Sequence, residues 1–172
     1  MKVHINKPGS KKTIERVEID PWDSWNTDVT LAHIIVPLLT QMKNDDIAAS
    51  SVDFNDCPKE LWPSPEEEKL IEKGEADEHY FKRWEWVLDE MIFAFQSKLE
   101  DWEDQFYTGE ADYQFVSTGE TDPTTGKEEK ISKMTKGPKH TLEFDEESYL
   151  VYSERIQRGF NFFGKYYNGL WT

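Results

Sequence analysis

The stretch that decides the fold is DEHYFKRWEWVLDEMIFAFQSKLEDWEDQF, residues 77–106. Its large apolar side chains recur in steps of three or four residues, the period that places them on one face of an α-helix. They are Trp84, Leu88, Met91, Phe95, Leu99, Trp102 and Phe106. Gly109 follows, and glycine is the residue most typical of a helix end. The spacing therefore predicts one long amphipathic helix over about residues 77–106.

Two further helices are predicted, one on each side of this stretch. The first spans about residues 27–43 and the last about residues 146–167, where Asp145 is a suitable N-cap. Each carries an apolar stripe at helical spacing. The stripe of the first helix consists of Leu31, Ile34, Ile35, Leu38 and Met42. The stripe of the last helix consists of Tyr149, Tyr152, Ile156, Phe160, Phe163, Tyr167 and Leu170.

Shorter segments with alternating apolar residues predict antiparallel strands. A β-hairpin is expected over residues 2–19, where two such segments flank a Pro-Gly turn. A second hairpin pairs residues 113–117 with about 130–134, and its tip at about 118–128 is expected to be mobile. The prediction is a single α+β domain over residues 1–172, with three main helices packed on a small antiparallel sheet.

The charge of the chain is strongly negative and unevenly placed. The 172 residues include 35 acidic and 20 basic side chains, a net charge of -15. Residues 60–112 contain 17 acidic and 5 basic side chains and so carry -12 of that charge. Such a chain gains no counterion release from phosphates, which argues against direct binding to long nucleic acids. The acidic segment is either a solvated helix face or a surface for a basic protein partner.

Several classes of protein are excluded or disfavoured by what the sequence lacks. No apolar run approaches the roughly 20 residues of a membrane-spanning helix, and no signal peptide opens the chain. We therefore expect a cytoplasmic protein with no membrane association. Cys57 is the single cysteine, so an internal disulfide framework is excluded. The glycine-rich phosphate loops and the nucleophile-elbow motif are also absent, so no cofactor is predicted.

The last helix carries a line of basic and aromatic side chains away from its predicted apolar stripe. This basic–aromatic line consists of Arg155, Arg158, Phe162, Lys165 and Tyr166, and Arg83 of the long helix is a candidate to join it. Guanidinium groups beside an aromatic face suit a small anionic ligand or the acidic loop of a partner. The alternative is that these cations pair with acids of the protein itself, such as Glu85, Asp89 or Glu154.

The sequence offers only weak candidates for a metal site. Glu85 and Asp89 lie four residues apart on the long helix, and His33 lies in the first helix. Two carboxylates on one helical face, joined by an imidazole from another element, have the donor atoms that a divalent cation needs. A salt-bridged surface pair and a hydrogen-bonded histidine are the alternative interpretation.

Three segments resemble an uncharacterised family of small proteins encoded by tailed bacteriophages. They are DSWNTDVTLAHIIVPLL at residues 23–39, RWEWVLDEMIFAF at residues 83–95 and RIQRGFNFFGKYYNGLW at residues 155–171. The resemblance implies a phage gene product made in the cytoplasm of the bacterial host. It implies no catalytic residue, cofactor or substrate.

These observations lead to one expected function and two alternatives. We expect a non-enzymatic phage accessory protein that acts by binding, either interfering with a host protein or sequestering a small anionic host defence signal. The first alternative is a virion or assembly component, in which aromatic surfaces pack copies of the chain together, so that a homo-oligomer stays open. The second alternative is an enzyme with a metal bound by carboxylates.

Overall fold

Four α-helices, six short strands and several short 3-10 turns make up the regular structure of the described residues. The computed structural model describes residues 2–5, 14–45, 49–119, 124–126 and 132–171. The helices are α1 Thr27–Asp45, α2 Pro65–Ile71, α3 Tyr80–Gln96 and α4 Glu146–Tyr166. The strands are β1 Lys2–Ile5, β2 Ile14–Glu18, β3 Tyr107–Thr108, β4 Tyr113–Ser117, β5 Ser132–Lys136 and β6 Glu143–Phe144. The predicted α+β class, with three main helices, is confirmed.

The described strands form three separate antiparallel pairs rather than one sheet. β1 pairs with β2, which confirms the N-terminal hairpin, although residues 6–13 of its turn lie outside the described residues. β4 pairs with β5, so that Phe115 lies opposite Met134, and this confirms the second hairpin. Most of its predicted tip also lies outside the described residues. The third pair joins β3 to β6. No strand was predicted at β3, because two residues are too few to show the alternation of apolar and polar side chains that indicates a strand.

The chain divides into two compact units. One unit contains residues 1–101 and 152–172, and its described elements are the first hairpin, α1, α2, α3 and most of α4. We refer to it as the helical unit. The other contains residues 102–151, with β3 to β6 and the first turns of α4. Inside this second unit, Trp102 and Phe144 pack on the ring of Tyr149.

The core of the helical unit joins three helices and the segment between α1 and α2. Its buried members are Leu39, Val52, Trp84, Val87, Leu88, Met91, Phe162 and Tyr166. Trp84, Leu88 and Met91 belong to the apolar stripe predicted for the long helix, and that part of the prediction is confirmed. None of the helices in the described part of the chain has the length and apolar content of a membrane-spanning segment.

The long helix predicted over residues 77–106 is wrong in extent. α3 ends at Gln96 and is followed by two short 3-10 turns, at Ser97–Leu99 and Trp102–Phe106. The Ser97 hydroxyl donates to the carbonyl of Ala94, and the backbone at Glu100 is extended, which ends helical pairing. The apolar spacing continues past this break because the 3-10 turns also bring residues three apart to one side.

The buried face of α1 matches the predicted stripe only in part. Ile35 and Met42 of that stripe pack against the core, whereas the fully buried residues are Ala32 and Leu39, which lie outside it. Leu31 and Leu38, which the predicted stripe places in the core, are 45% and 64% exposed. Apolar residues occupy two neighbouring lines of this helix, so periodicity alone does not decide which line is buried.

Helix α4 lies close to α3 at Gly159. A Cβ atom at this position would lie 2.1 Å from the carbonyl oxygen of Glu90 and 2.5 Å from the Cβ of Ala94. Glycine is therefore required here by space, since any side chain would push the two helices apart. Gly164 is one and a half turns further along α4, and a Cβ atom there would meet nothing within 4 Å.

These two glycines provide a matched test of the packing. We expect Gly159→Ala to lower the free energy of unfolding by about 1–3 kcal/mol, because overpacking outweighs the gain in helix propensity. Gly164→Ala should raise it by roughly 0.5–1 kcal/mol, because alanine is the better helix former and has room. Urea unfolding of both variants measures the difference. Equal shifts in the two variants would contradict the close approach.

Candidate functional site

The basic–aromatic line predicted on α4 is built around a buried carboxylate. Glu90 of α3 has no exposed surface. Arg155 donates from Nε to its Oε1 at 3.0 Å, and Arg158 donates from Nε and Nη2 to its Oε2 at 3.0 and 2.6 Å. A buried carboxylate needs such charge-assisted bonds, because its desolvation is otherwise uncompensated. The two guanidinium groups therefore serve the packing of α4 on α3.

Aromatic rings of α3 complete this arrangement. The guanidinium carbon of Arg155 lies 3.8 Å from the ring centre of Phe93, and that of Arg158 lies 5.9 Å from the ring centre of Trp86. Both arginine side chains nevertheless keep 42% and 44% of their surface exposed. The predicted alternative, in which the cations pair with acids of the protein, describes this geometry, although the partner is Glu90 and not one of the acids that the sequence suggested.

Phe162 and Tyr166 were predicted to project away from the core, and this is wrong. They are 6% and 7% exposed and belong to the core of the helical unit. The physical reason is the rotation of α4. Ile156 and Phe163 of the predicted stripe are buried or pack against the core, but the buried line continues through Gly159, Phe162 and Tyr166. Tyr167, which the predicted stripe buries, is 63% exposed.

Lys165 and Tyr166 anchor the segment between α1 and α2. The Tyr166 hydroxyl donates to a carboxylate oxygen of Asp56 and accepts the backbone N–H of Asp53 at 3.0 Å. Lys165 lies 2.6 Å from Asp56, close enough for an ion pair. Burial, reinforced by the hydrogen bond to Asp56, raises the pKa of Tyr166 to about 12. The tyrosine is therefore a neutral hydrogen-bond donor, and its role here is to hold the loop.

Arg83, the remaining member of the predicted ligand site, forms a buried ion pair with Asp77. Their side chains are 2% and 0% exposed. Nη1 of Arg83 donates to Asp77 at 2.9 Å and to the carbonyl of Leu61 at 2.8 Å, and Nη2 donates to the other carboxylate oxygen. Hydrogen bonds from Arg83 hold the pKa of Asp77 below its ordinary value. Phe54 and Tyr80 join the pair in lining a cavity of about 470 Å³.

The predicted metal candidates are not brought together. Asp89 binds Lys43 at 2.6 Å, whereas Glu85 and His33 are exposed on different helices. Among the described residues, one other group can supply metal-ligating atoms, and it consists of Glu67, Asp77 and His79. One ligand atom from each lies within 4.8 Å of the other two. We call this group the Glu–Asp–His cluster.

A pair of exposed tryptophans precedes α1. Trp22 and Trp25 are 79% and 80% exposed, and their ring centres lie 6.3 Å apart. Trp22 lies in the 3-10 turn Pro21–Ser24, and Trp25 directly follows it. A capping box closes the turn: Asp20 accepts the backbone N–H of Trp22, and Asp23 accepts that of Asp20. The backbone under this tryptophan pair is therefore fixed, although the rings lie in solvent.

The hairpin of the second unit also exposes apolar side chains. Phe115 and Met134, which lie opposite each other on β4 and β5, are 72% and 56% exposed, and Val116 is 53% exposed. Two-stranded hairpins are marginally stable in water when nothing covers them. Asp112 holds the base of this hairpin, since its carboxylate accepts the backbone N–H of Lys139 at 2.9 Å.

The acidic excess has two physical fates. Asp77, Asp89 and Glu90 form ion pairs with Arg83, Lys43 and the two arginines of α4. The acids around α2 instead lie on the surface, and the exposed ones are Glu60, Glu66, Glu68, Glu72, Glu75 and Glu78. Trp62, in the same segment, is 40% exposed. The part of the chain at residues 60–78 thus presents a negatively charged surface that contains an aromatic ring.

Sequence reasoning missed two features of the structure that bear on function. The tryptophan pair had a usable signal, because Asp20-Pro21 followed by Asp23 has the spacing of a capped turn. The Glu–Asp–His cluster had almost none. Its members come from α2 and the residues before α3, and the chain between them turns at Gly74, where φ is +84°.

Comparison with protein-family models, characterised proteins and solved structures gives no match for this chain. The resemblance to phage proteins therefore stays a prediction, and the functional argument depends on the geometry of the chain itself.

The charge of Glu90 predicts a large effect of removing its partners together. Arg155→Ala/Arg158→Ala leaves a fully buried carboxylate without a cation, and we expect a loss of about 3–5 kcal/mol in the free energy of unfolding. Arg16→Ala removes an exposed pair with Glu18 and should change it by less than about 0.5 kcal/mol. Urea unfolding at pH 7 measures both variants, and a loss below about 1 kcal/mol in the double variant would contradict the central role of Glu90.

The ion pair of Asp77 predicts a pH dependence of stability. Its folded pKa lies below the unfolded value of about 3.9, so the pair stabilises fully above that value and loses its contribution as the pH falls through the folded pKa. We expect Asp77→Asn to lower stability at pH 7 and to flatten the decline below about pH 4. Urea unfolding from pH 7 to pH 3, in buffer with a chelator, tests this. Glu72→Gln, at an exposed acid, should keep the wild-type profile, and an unchanged profile in Asp77→Asn would be the contrary result.

Proposed function

We propose that the chain is a non-enzymatic phage accessory protein that acts by binding a basic protein of the bacterial host. The observation that carries the proposal is the tryptophan pair, two large apolar rings about four-fifths exposed on a backbone turn fixed by capping hydrogen bonds. Tryptophan is the residue most enriched at the energetic centres of protein interfaces. A fixed backbone reduces the entropy lost when such residues are covered.

The charge of the chain supports a basic partner. A net charge of -15, with exposed glutamates around α2, attracts a positively charged protein and speeds the encounter. The same charge repels long nucleic acids. Proteins that bind nucleic acids carry basic surfaces, and they are therefore a natural class of target for this acidic chain. The resemblance to phage proteins supplies the host context of the proposal.

The arrangement on α4 favours a protein partner over a small anionic ligand. The guanidinium groups of Arg155 and Arg158 are directed to Glu90, and Phe162 is in the core, so that a stacking base finds no open aromatic face at this residue. Binding of an anion by these arginines would compete with a buried carboxylate for the same donors. The rings of Trp22 and Trp25, by contrast, are about four-fifths exposed, so a partner can cover them without displacing a buried contact.

The test compares the proteins that the wild-type chain captures from a bacterial lysate with those that the double variant Trp22→Ala/Trp25→Ala captures. We expect the wild-type chain to retain a basic protein that the double variant loses, with affinity for the purified partner reduced at least about 30-fold, as expected for hot-spot residues. Trp171→Ala removes another tryptophan that is 70% exposed and should keep wild-type affinity. Calorimetry with the purified partner measures all three proteins.

Three results would count against the proposal. The first is equal capture by the wild type and the double variant. The second is a captured protein that is acidic or that resists raised salt, because an electrostatic encounter weakens with ionic strength. The third is recovery of a second copy of the chain in place of a host protein, which would favour the role of an assembly component.

A further inference from the structure

The Glu–Asp–His cluster brings three ligand-bearing side chains from two neighbouring elements to one place. Glu67 lies in the first turn of α2, and Asp77 and His79 lie just before α3. The positive φ of Gly74 turns the chain between them. One oxygen from each carboxylate and one ring nitrogen lie within 4.8 Å of one another. None of the residues of the proposed protein-binding surface at Trp22 and Trp25 takes part.

The histidine of this cluster has a buried nitrogen that the protein does not use. Among the described residues, Nδ1 of His79 has no hydrogen-bond partner. A buried polar atom without a partner is unfavourable, and such atoms are rare enough in native structures to require an explanation. An imidazole with one ring nitrogen within 4.8 Å of two carboxylates, and with a buried nitrogen that the described residues leave unpaired, has the features expected of a metal ligand.

The two carboxylates are oriented by other groups of the protein. Glu67 accepts the backbone N–H groups of Ser64 at 2.8 Å and Glu78 at 3.3 Å, and Asp77 accepts that of His79 at 2.8 Å as well as the Arg83 guanidinium. Metal-binding carboxylates are commonly held by a surrounding set of hydrogen bonds of this kind. The same bonds lower the pKa of both carboxyl groups, so that both are ionised at neutral pH.

The charge of the cluster selects a cation. Two carboxylates and the single positive charge of Arg83 leave a net charge of -1 beside the imidazole of His79. An anionic ligand is therefore repelled. A divalent ion at this place would share Asp77 with the Arg83 guanidinium, which donates to both oxygens of that carboxylate, so that Glu67 supplies the net negative charge.

We propose that Glu67, Asp77 and His79 bind a divalent transition-metal ion, for which Zn²⁺ is the probe of choice. One imidazole nitrogen and two carboxylate oxygens are donors that Zn²⁺ takes in four-coordinate sites, with the fourth position left to water or to a partner. Ca²⁺ and Mg²⁺ instead prefer oxygen ligands alone, so the imidazole nitrogen of His79 favours a transition metal over either of them. The ion would tie α2 to the start of α3, beside the acidic surface.

The carboxylates have structural roles that do not need a metal, and the histidine separates the two explanations. Ser64 and Glu67 form a capping box at the start of α2, and Asp77 is the partner of Arg83. Neither role involves the His79 ring. His79→Ala therefore removes a metal ligand while it leaves the capping box and the ion pair intact.

The experiment uses the full chain, freed of metal with a chelator, and titrates it with ZnCl₂ by calorimetry. We expect one ion per chain in the wild type, and an affinity at least about 10-fold lower in His79→Ala. His33→Ala, at an exposed histidine of α1, should bind Zn²⁺ as the wild type does. Equal Zn²⁺ affinity in His79→Ala and the wild type would overturn the proposal, and so would the absence of a one-to-one complex in the wild type.

A second variant keeps the test independent of folding defects. Glu67→Gln retains a residue that suits the capping box but removes the anionic ligand, so the metal-free variant should keep the wild-type unfolding midpoint. We expect its Zn²⁺ affinity to fall at least about 10-fold, and the visible absorption of bound Co²⁺ to change in the same variant. Wild-type affinity together with a wild-type Co²⁺ spectrum in Glu67→Gln would overturn the assignment of Glu67.

Discussion

A buried carboxylate is the constraint on which the helical unit depends. Glu90 has no exposed surface, and a carboxylate in such a place is tolerated only where charged donors surround it. Two arginines of α4 supply these donors, and their positions fix both the rotation and the height of α4 on α3. Gly159 lets the two backbones approach closely enough for the contact. Once α4 is fixed in this rotation, Phe162 and Tyr166 enter the core, and Tyr166 in turn holds the segment between α1 and α2.

The same constraint changes the meaning of the acidic composition. Three acids of the most negative segment, Asp77, Asp89 and Glu90, form ion pairs, and two of these acids are matched by cations from outside that segment. The charge of Asp89 and Glu90 therefore serves contacts between elements that are distant in sequence. The exposed glutamates around α2 form the part of the excess that a partner would meet. Net charge alone does not separate these two groups, because it counts a buried paired acid and an exposed acid alike.

The positions of the helices and hairpins could be predicted from the sequence, because spacing and capping residues are local signals. The sequence did not predict which side chains of α4 are directed towards the rest of the helical unit. Arg155 and Arg158 have the spacing of a solvent-facing line, and only the buried acid on another helix shows that their guanidinium groups are directed to α3. The end of α3 was missed for a related reason, since a 3-10 turn continues a spacing of three residues. The Glu–Asp–His cluster depends on a turn at Gly74 that brings together residues ten or more positions apart.

Side chains that folding uses are poorly suited to reversible binding, and this separates the two aromatic features of the chain. On α4, the cations and rings are held by Glu90 and by the core, so that a ligand would have to displace stabilising contacts. At the tryptophan pair the opposite holds: hydrogen bonds fix the backbone turn, and the rings remain about four-fifths exposed. An exposed apolar ring gives no stability to the free chain, and it favours unwanted association. A turn that nevertheless presents two such rings in a fixed arrangement has the properties of a surface that a partner covers, and this is why the functional argument depends on the tryptophans and not on the arginines.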